Sequence, residues 1–509
     1  MRCFDPDSEN LVIAVVGTGA MGRGIAQIAA QAGITVLLHD ALAGAAAKAR
    51  EGLAATFETL RGKGKLSDAE AQAAAARLRV VAGTAELAPA ALVVEAIVED
   101  LAVKRALFAE LEAIVAPDCV LATNTSSLSV TAIAAGCARP ERVVGFHFFN
   151  PVPLMKIVEV IDGVRGARAA GDAMMALARR MGHLPVRAKD TPGFIVNHAG
   201  RGYGTEALRL LGENVAEPRA IDAVLREQAG FRLGPFELLD LTGLDVSVPV
   251  MESIYHQYFE EPRFRPSPLA AQRRVAGLLG RKTGEGWYRY ADGRAQAEPE
   301  APPPAARPAS VWLSNARPAL AERARALLAG LSVTPESGAR PSEGALCIVT
   351  PLGEDVTQCC TRESLDATRS VGLDMLFAND RRRSLMCSPL TSAAMRDAAH
   401  GLLASDGARV SILRDSAGLV AQRVVATIVN IGCDIAQQGI AEPGDIDRAV
   451  TLGLGYPLGP LAWGDELGAA TLLEVLANLY ALSGDPRYRA SPWLRRRAVL
   501  GVSLLTPEA

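Results

Sequence analysis

The chain has 509 residues, 49% of them hydrophobic, and a formal net charge of -3. At roughly 150 residues per domain that length suggests three or four units with ample material for buried cores. The near-neutral charge argues against a dominant nucleic-acid footprint, and the eight cysteines, scattered apart from the adjacent Cys359 and Cys360, follow neither a disulfide framework nor a metal-ligand spacing.

The opening stretch MRCFDPDSEN carries acids where a secretion signal would carry its basic residues. The next apolar run, Leu11 to Val16, is far too short to span a bilayer. A cytoplasmic protein with no membrane, nucleic-acid or metal partner is expected. The apolar run leads into Gly17-Thr18-Gly19-Ala20-Met21-Gly22, then a helix from Gly24 to Gly33, a second strand from Ile34 to Leu38, and Asp40. Strand, glycine turn, helix, strand and acid in that order describe a Rossmann-type, doubly wound α/β domain. Gly17 permits the tight turn, Gly19 lets the backbone approach a pyrophosphate, and Gly22 lets helix and strand pack closely. The helix N-terminus offers free N–H groups to the phosphates, and Ala20 and Met21 of the turn are counted among the cofactor-binding residues. Asp40, eighteen residues beyond Gly22, stands where an acid binds the adenosine ribose and repels a 2′-phosphate, so NAD is favoured over NADP.

Ala41 to Leu78 reads as two helices broken at Arg61-Gly62-Lys63-Gly64-Lys65. Lys63 and Lys65 at that tip either bind a phosphorylated ligand or merely solvate the loop. A strand from Leu92 to Val98 is followed by Glu99 and by Lys104 at the start of a helix, and a further strand, Val120 to Ala122, ends in Thr123-Asn124-Thr125-Ser126-Ser127. Loops at the carboxyl ends of parallel strands line the ligand crevice, which places Asn124 and Ser126 towards nicotinamide and substrate. Ser126 could equally cap the next helix, or do both. In RVVGFHFFNPVPLMKIVEVI, from Arg142 to Ile161, two apolar runs flank a short proline-bracketed turn. So short a connection joins antiparallel neighbours, which could bring His147 and Glu159 together as a general base and its orienting carboxylate.

These blocks resemble the NAD-dependent L-3-hydroxyacyl-CoA dehydrogenases. VVGTGAMGRGIA, VVEAIVED, TNTSSLSVTAIA, GFHFFNPVPLMKIVEVI, DTPGFIVN and GRKTGEGWY match between Leu11 and about Tyr290. The resemblance implies oxidation of a 3-hydroxyacyl-CoA to a 3-ketoacyl-CoA, with the hydride passing to NAD. It implies His147 as catalytic base, Glu159 as its partner, Ser126 as hydrogen-bond donor to the substrate oxygen, and Asn197 completing the catalytic set. Glu99 and Lys104 would lie on the cofactor side, while Lys63, Lys65 and Ser126 would meet the acyl-CoA. His198 stands where the family commonly has an arginine.

The expected organisation is a dinucleotide-binding domain over 8–189, a helical domain over 190–290, a Pro/Ala-rich linker over 291–310, a truncated Rossmann-like segment over 311–414 and a second, non-catalytic helical domain over 415–509. The repeat rests on an offset of 225, which matches Gly193 to Gly418, Ala216-Glu217-Pro218 to Ala441-Glu442-Pro443, and Gly234-Pro235 to Gly459-Pro460. At that offset His147, Glu159 and Asn197 become Gly372, Ser384 and Gln422. The second helical copy would cover within one chain the face that the family buries across a dimer, giving either a monomeric pseudo-dimer or a homo-oligomer. Tandem forms of this length resemble bacterial enzymes acting on 3-hydroxyadipyl-CoA or 3-hydroxybutyryl-CoA, in phenylacetate or fatty-acid breakdown. Two other readings stay open: a dehydrogenase of a free hydroxy acid or sugar acid, and a non-catalytic NAD-binding structural protein.

Overall fold

The computed structural model describes residues 3–296 and 299–508, so residues 297 and 298 of the expected linker lie outside the described residues. The first sheet has eight strands: β1 Val12–Val16, β2 Thr35–His39, β3 Leu78–Val80, β4 Leu92–Glu95, β5 Val120–Thr123, β6 Val143–Phe148, β7 Ile157–Asp162 and β8 Leu184–Lys189. Their spatial order is β3-β2-β1-β4-β5-β6-β7-β8, parallel throughout except between β6 and β7. The order reverses at β1, which opens the ligand crevice at the carboxyl ends of β1 and β4. Helices α1 (Ala20–Gln31), α2 (Ala45–Gly62), α3 (Asp68–Ala76), α4 (Leu101–Ile114), α5 (Val130–Ala134) and α6 (Arg168–Arg180) accompany this sheet. The central strands read as unbroken apolar runs because both faces are covered: Ile13 to Val16 and Leu92 to Val94 are buried residue after residue. The strand expected to run to Val98 stops at Glu95, whose carboxylate accepts the Ile97 N–H at 2.8 Å and closes a turn.

Six helices follow: α7 Val196–Ala199, α8 Arg201–Gly212, α9 Pro218–Glu227, α10 Pro235–Thr242, α11 Leu244–Gln257 and α12 Pro268–Val275. Gly200 divides α7 from α8. A short hairpin, β9 Tyr290–Ala291 and β10 Arg294–Ala295, opens the linker. The linker is not a loose tether. It docks so closely that a Cβ on Gly401 would meet the Ala306 carbonyl oxygen at 2.2 Å.

The second sheet comprises β11 Val311–Leu313, β12 Leu346–Val349, β13 Ser370–Leu373, β14 Arg382–Cys387 and β15 Arg409–Arg414, in sequential order, with α13 Pro318–Gly330, α14 Val356–Glu363 and α15 Ala393–Leu403. Only β13 and β14 are antiparallel. That is the pattern of β4 to β8, with no counterpart of β1, β2 and β3 among the described residues. Helices α16 Val420–Gln437, α17 Pro443–Leu454, α18 Pro460–Leu467, α19 Ala469–Ser483 and α20 Pro492–Leu500 complete the chain.

The compact units do not follow chain order. One runs through His198 and takes in Gln438–Leu454; the other holds Ala199–Gln437 and Gly455–Glu508. Within the first, α17 of the second helical copy packs on β7 and β8. Within the other, α9 of the first copy packs on β14 and β15, anchored by Glu227 on the buried Arg382 guanidinium at 3.0 Å. The exchange is reciprocal: Lys189 N–H donates to the Ile440 carbonyl at 2.9 Å, and Arg414 N–H donates to that of Val215 at 3.0 Å, each partner displaced by 225. The two long helices α8 and α16 also pack on each other, with Glu206 accepting from Arg423 and Tyr488 out of solvent. Among the described residues no helix is long and apolar enough to cross a membrane.

Candidate active site

His147 and Glu159 are cross-strand partners on β6 and β7, and the imidazole Nδ1 lies 2.6 Å from Glu159 Oε2. A carboxylate only accepts, so Nδ1 is the donor in this bond. Oε1, the other carboxylate oxygen, receives the backbone N–H groups of Ile195 and Val196, both at 2.9 Å. Those two N–H groups follow a tight turn in which Gly193 and Phe194 are both left-handed, at φ 78 and 50. A left-handed phenylalanine is strained, and the strain is held by the burial of its ring and by the bonds the turn makes to Glu159. Rings of Phe149 and Phe194 stand 4.4 Å and 5.8 Å from the imidazole. His147 is buried and Glu159 fully so.

The serine loop reaches the same site from β5. Asn197, in the first turn after Val196, donates from Nδ2 to the Ser126 carbonyl at 3.2 Å. Asn124 Oδ1 accepts the Phe148 N–H at 2.9 Å, which ties the loop to β6 one residue past His147. Glu99 Oε1 gathers the loop from below. It accepts the Thr125 hydroxyl at 2.7 Å and the Ser126 and Ser127 N–H groups at 2.9 and 3.0 Å. The Ser126 hydroxyl is the longest of these contacts, at 3.4 Å, and so the easiest to divert to a substrate oxygen. Burial pushes the Glu99 carboxyl up, but Lys104 and the loop donors outweigh it and hold the group below the usual carboxylate range. The helix-capping role considered for Ser126 falls to Ser129, whose hydroxyl accepts the Ala132 N–H at 3.1 Å. Ser129, not Ser126, stands directly before the first helical residue.

Glu95 is the residue that sequence reasoning missed. It is fully buried at the end of β4, bonded to Lys104 Nζ at 2.5 Å and to the Thr123 hydroxyl at 2.7 Å. Lys104 in turn lies 3.3 Å from Glu99 Oε2. The signal was present: an acid inside the apolar strand LVVEAIVED. Asp190 is a second omission; it caps α5 by accepting the Ser129 hydroxyl and the Val130 and Thr131 N–H groups.

The glycine turn fits a dinucleotide. Gly17 is left-handed at φ 94, and a Cβ there would meet the Ala96 carbonyl oxygen at 2.5 Å. A Cβ on Gly22 would lie 1.8 Å from the Gly17 oxygen, so only glycine lets α1 settle on the turn. At Gly19, directly before Ala20 and Met21, a Cβ would meet nothing within 4 Å, which leaves room for a phosphate over the free N–H groups of α1. Asp40 directly follows β2 and accepts the Thr18 N–H and hydroxyl, both at 2.7 Å, and the Leu42 N–H at 3.0 Å. Lys63 and Lys65 are exposed at the tip between α2 and α3, and Lys65 lines a cavity of about 390 Å³ with Lys156 and Arg180. His198 is fully buried in α7. Among the described residues no group of three or more His, Cys, Asp or Glu side chains is disposed to hold a metal ion.

In the second half, Gln422 repeats the contact of Asn197: its Nε2 donates to the carbonyl of Pro351, the counterpart of Ser126, at 3.1 Å. The strand register does not repeat. Gly372 opposes Met386, and the residue bonded across to Ser384 is Asp374. A two-residue slip therefore sets an aspartate, not Gly372, across from the counterpart of Glu159.

Comparison with known proteins gives a consistent result. The model of the 3-hydroxyacyl-CoA dehydrogenase NAD binding domain matches residues 12–191. The model of the 3-hydroxyacyl-CoA dehydrogenase C-terminal domain matches twice, over 193–290 and 418–502. The chain is 39% identical to the 3-hydroxyadipyl-CoA dehydrogenase of Escherichia coli, over 96% of this chain and 97% of that one. A probable 3-hydroxybutyryl-CoA dehydrogenase of Deinococcus radiodurans is 40% identical over 54% of this chain and 99% of its own. The crystal structure of 3-hydroxybutyryl-CoA dehydrogenase from Escherichia coli superposes with a TM-score of 0.84 at 37% identity, over 96% of this chain and 98% of that one.

Proposed function

The chain belongs to the 3-hydroxyacyl-CoA dehydrogenase family and is an NAD-dependent oxidoreductase of acyl-CoA metabolism; from that premise we propose that it oxidises a short-chain (S)-3-hydroxyacyl-CoA with His147 as general base. The observation that carries the reading is the pairing of His147 and Glu159 at 2.6 Å, with the second Glu159 oxygen fixed by two peptide N–H groups. His147 takes the proton of the 3-hydroxyl at Nε2, and Glu159 holds the imidazole and stabilises its charged form. Ser126 donates its hydroxyl to the same substrate oxygen. Asn197 keeps the serine loop in place and completes the site. Bound NAD would supply the acceptor for the hydride leaving C3 of the substrate. Gly17, Gly19, Ala20, Met21 and Gly22 carry its phosphates, Asp40 its adenosine ribose, and Glu99, Lys104 and Asn124 support its nicotinamide end. Lys63 and Lys65 meet the phosphates of coenzyme A.

For the acyl chain we favour 3-hydroxyadipyl-CoA, with 3-hydroxybutyryl-CoA as the second choice. Support comes from the names carried by the two near-full-length relatives. The five-part division of the chain, a cytoplasmic location and a monomer whose two helical copies close on each other belong to the same reading. The pairing of α8 with α16 supports the last of these, and eight free cysteines support a reducing compartment. The test is NADH production by purified protein with butyryl, hexanoyl and adipyl (S)-3-hydroxyacyl-CoAs and with the free acids. Turnover on a thioester and none on the acids is expected, and equal turnover on both would overturn the assignment.

A further inference from the structure

We propose that the second helical copy is a working part of the catalytic unit, and that Gly453 of α17 positions the Glu159 anchor through Val196. The inference rests on the general-base reading above. The segment from Lys189 to Asn197 supplies the Ile195 and Val196 N–H groups that hold Glu159, the Asn197 side chain that holds the Ser126 carbonyl, and the Asp190 carboxylate that caps α5. The second copy grips this segment at both ends. At its start the Lys189 N–H donates to the Ile440 carbonyl. At its end Val196 faces Gly453, where an added Cβ would lie 3.0 Å from both Val196 methyls. A helical valine has essentially one side-chain rotamer, and both of its methyls are already engaged, so no rotation relieves the contact. The contact is relieved by a shift of a few tenths of an ångström, either of α17 or of the Val196 backbone, whose N–H is bonded to Glu159; on this proposal the Val196 side gives.

The chain contains its own control. Gln228 is the counterpart of Gly453 at the offset of 225. In the other unit Gln228 reaches over the strand of Ser384, the counterpart of Glu159, and accepts its hydroxyl, while its amide donates to the Phe377 carbonyl at 3.3 Å. The counterpart position, just past the end of α9, thus carries a long side chain where the carboxylate is gone, whereas Gly453, near the end of α17, carries none where it is kept.

The experiment measures kcat, the two KM values and thermal unfolding for the full chain and for Gly453→Ala, Gly453→Gln, Val196→Ala and Gly453→Ala with Val196→Ala. Alanine is the better helix former, so a slower Gly453→Ala enzyme has not lost its helix. The expected result is a kcat lower by about tenfold in Gly453→Ala and about a hundredfold in Gly453→Gln, since a misplacement of about 1 Å caused far from the chemistry can cost about a hundredfold. KM for NAD stays unchanged because the glycine turn lies elsewhere in the unit. In the Val196→Ala background the loss from Gly453→Ala shrinks to less than about threefold, the non-additivity of residues in contact. A Gly453→Ala enzyme with native kcat overturns the inference, as does a loss that Val196→Ala leaves unrelieved. If Gly453→Gln fails to fold, the alanine cycle decides. His147→Gln runs alongside. An inactive His147→Gln beside a fully active Gly453→Ala removes only this inference, whereas an active His147→Gln removes the general-base reading itself.

Discussion

Lys104 Nζ and Glu95 Oε1 stand 2.5 Å apart, and neither side chain reaches solvent. The pair sits beneath the serine loop. Glu95 anchors Lys104, Lys104 reaches Glu99, and Glu99 gathers Thr125, Ser126 and Ser127. Removing the Glu95 charge leaves the lysine with Glu99, at 3.3 Å, as its charged partner. Glu95→Gln is expected to lose about 3 kcal/mol of stability, in line with breaking a buried pair. Urea unfolding checks this, and a loss no larger than that of Glu99→Gln would contradict it.

On the general-base reading, His147 and Glu159 make different demands. His147→Gln removes the proton acceptor, so kcat is expected to fall by about 10²- to 10⁴-fold. NAD affinity, followed by fluorescence titration, stays within about twofold of native because the cofactor contacts are untouched. Glu159→Gln keeps the side-chain shape but puts an amide where both carboxylate oxygens accept, and a smaller loss of kcat is expected. A Glu159→Gln enzyme slower than His147→Gln would assign the carboxylate more than an orienting role.

Asp40 links cofactor choice to pH. Burial pushes its carboxyl up, but the Thr18 hydroxyl and the Leu42 and Thr18 N–H groups outweigh that and leave it below the ordinary carboxyl value. A depressed folded-state pKa stabilises the fold above the unfolded value and loses that contribution as pH falls through the folded one. The stability gap between native protein and Asp40→Asn should therefore stay constant down to about pH 4 and close below it. The same substitution should weaken NAD more than NADP, narrowing the preference, because it removes the charge that repels a 2′-phosphate. Parallel binding titrations with the two cofactors measure that ratio.

Cutting the chain near Pro302 tests the pairing of the two halves. The first half would lose α16 from the face of α8 and α17 from β7 and β8. Buried Glu206 would lose Arg423 and Tyr488, the groups that with Arg487 hold its carboxyl low against the opposing effect of burial. The fragment is expected to dimerise or aggregate in size-exclusion chromatography, with reduced turnover. A monomeric, fully active fragment would show that the second half is a dispensable appendage.

Much of the site was legible because it is local. The strand, glycine turn, helix, strand and acid from Leu11 to Asp40 follow one another without a gap, and the short turn between His147 and Glu159 permits only an antiparallel pair, in which residue spacing dictates who faces whom. The duplication was legible for the same reason, as a constant offset along the chain. Local pattern also set traps. The run Leu92 to Val98 reads as one strand, yet the Glu95 carboxylate ends it early, and the uniform offset hides the slip that brings Asp374 opposite Ser384.

What the sequence determined alone, then, is most of the element order, the family motifs and the candidate set of His147, Glu159, Ser126 and Asn197, because backbone periodicity and short loops leave few alternatives. Tertiary structure alone decided which copy of a helix covers which sheet. Helices α9 and α17 present related apolar faces, and neither propensity nor period says which sheet each will cover; the choice falls to long-range packing and to bonds such as Lys189 to Ile440 and Arg414 to Val215. The buried bridge from Glu95 through Lys104 to Glu99 was settled the same way, since ions leave water only where the fold supplies each with partners.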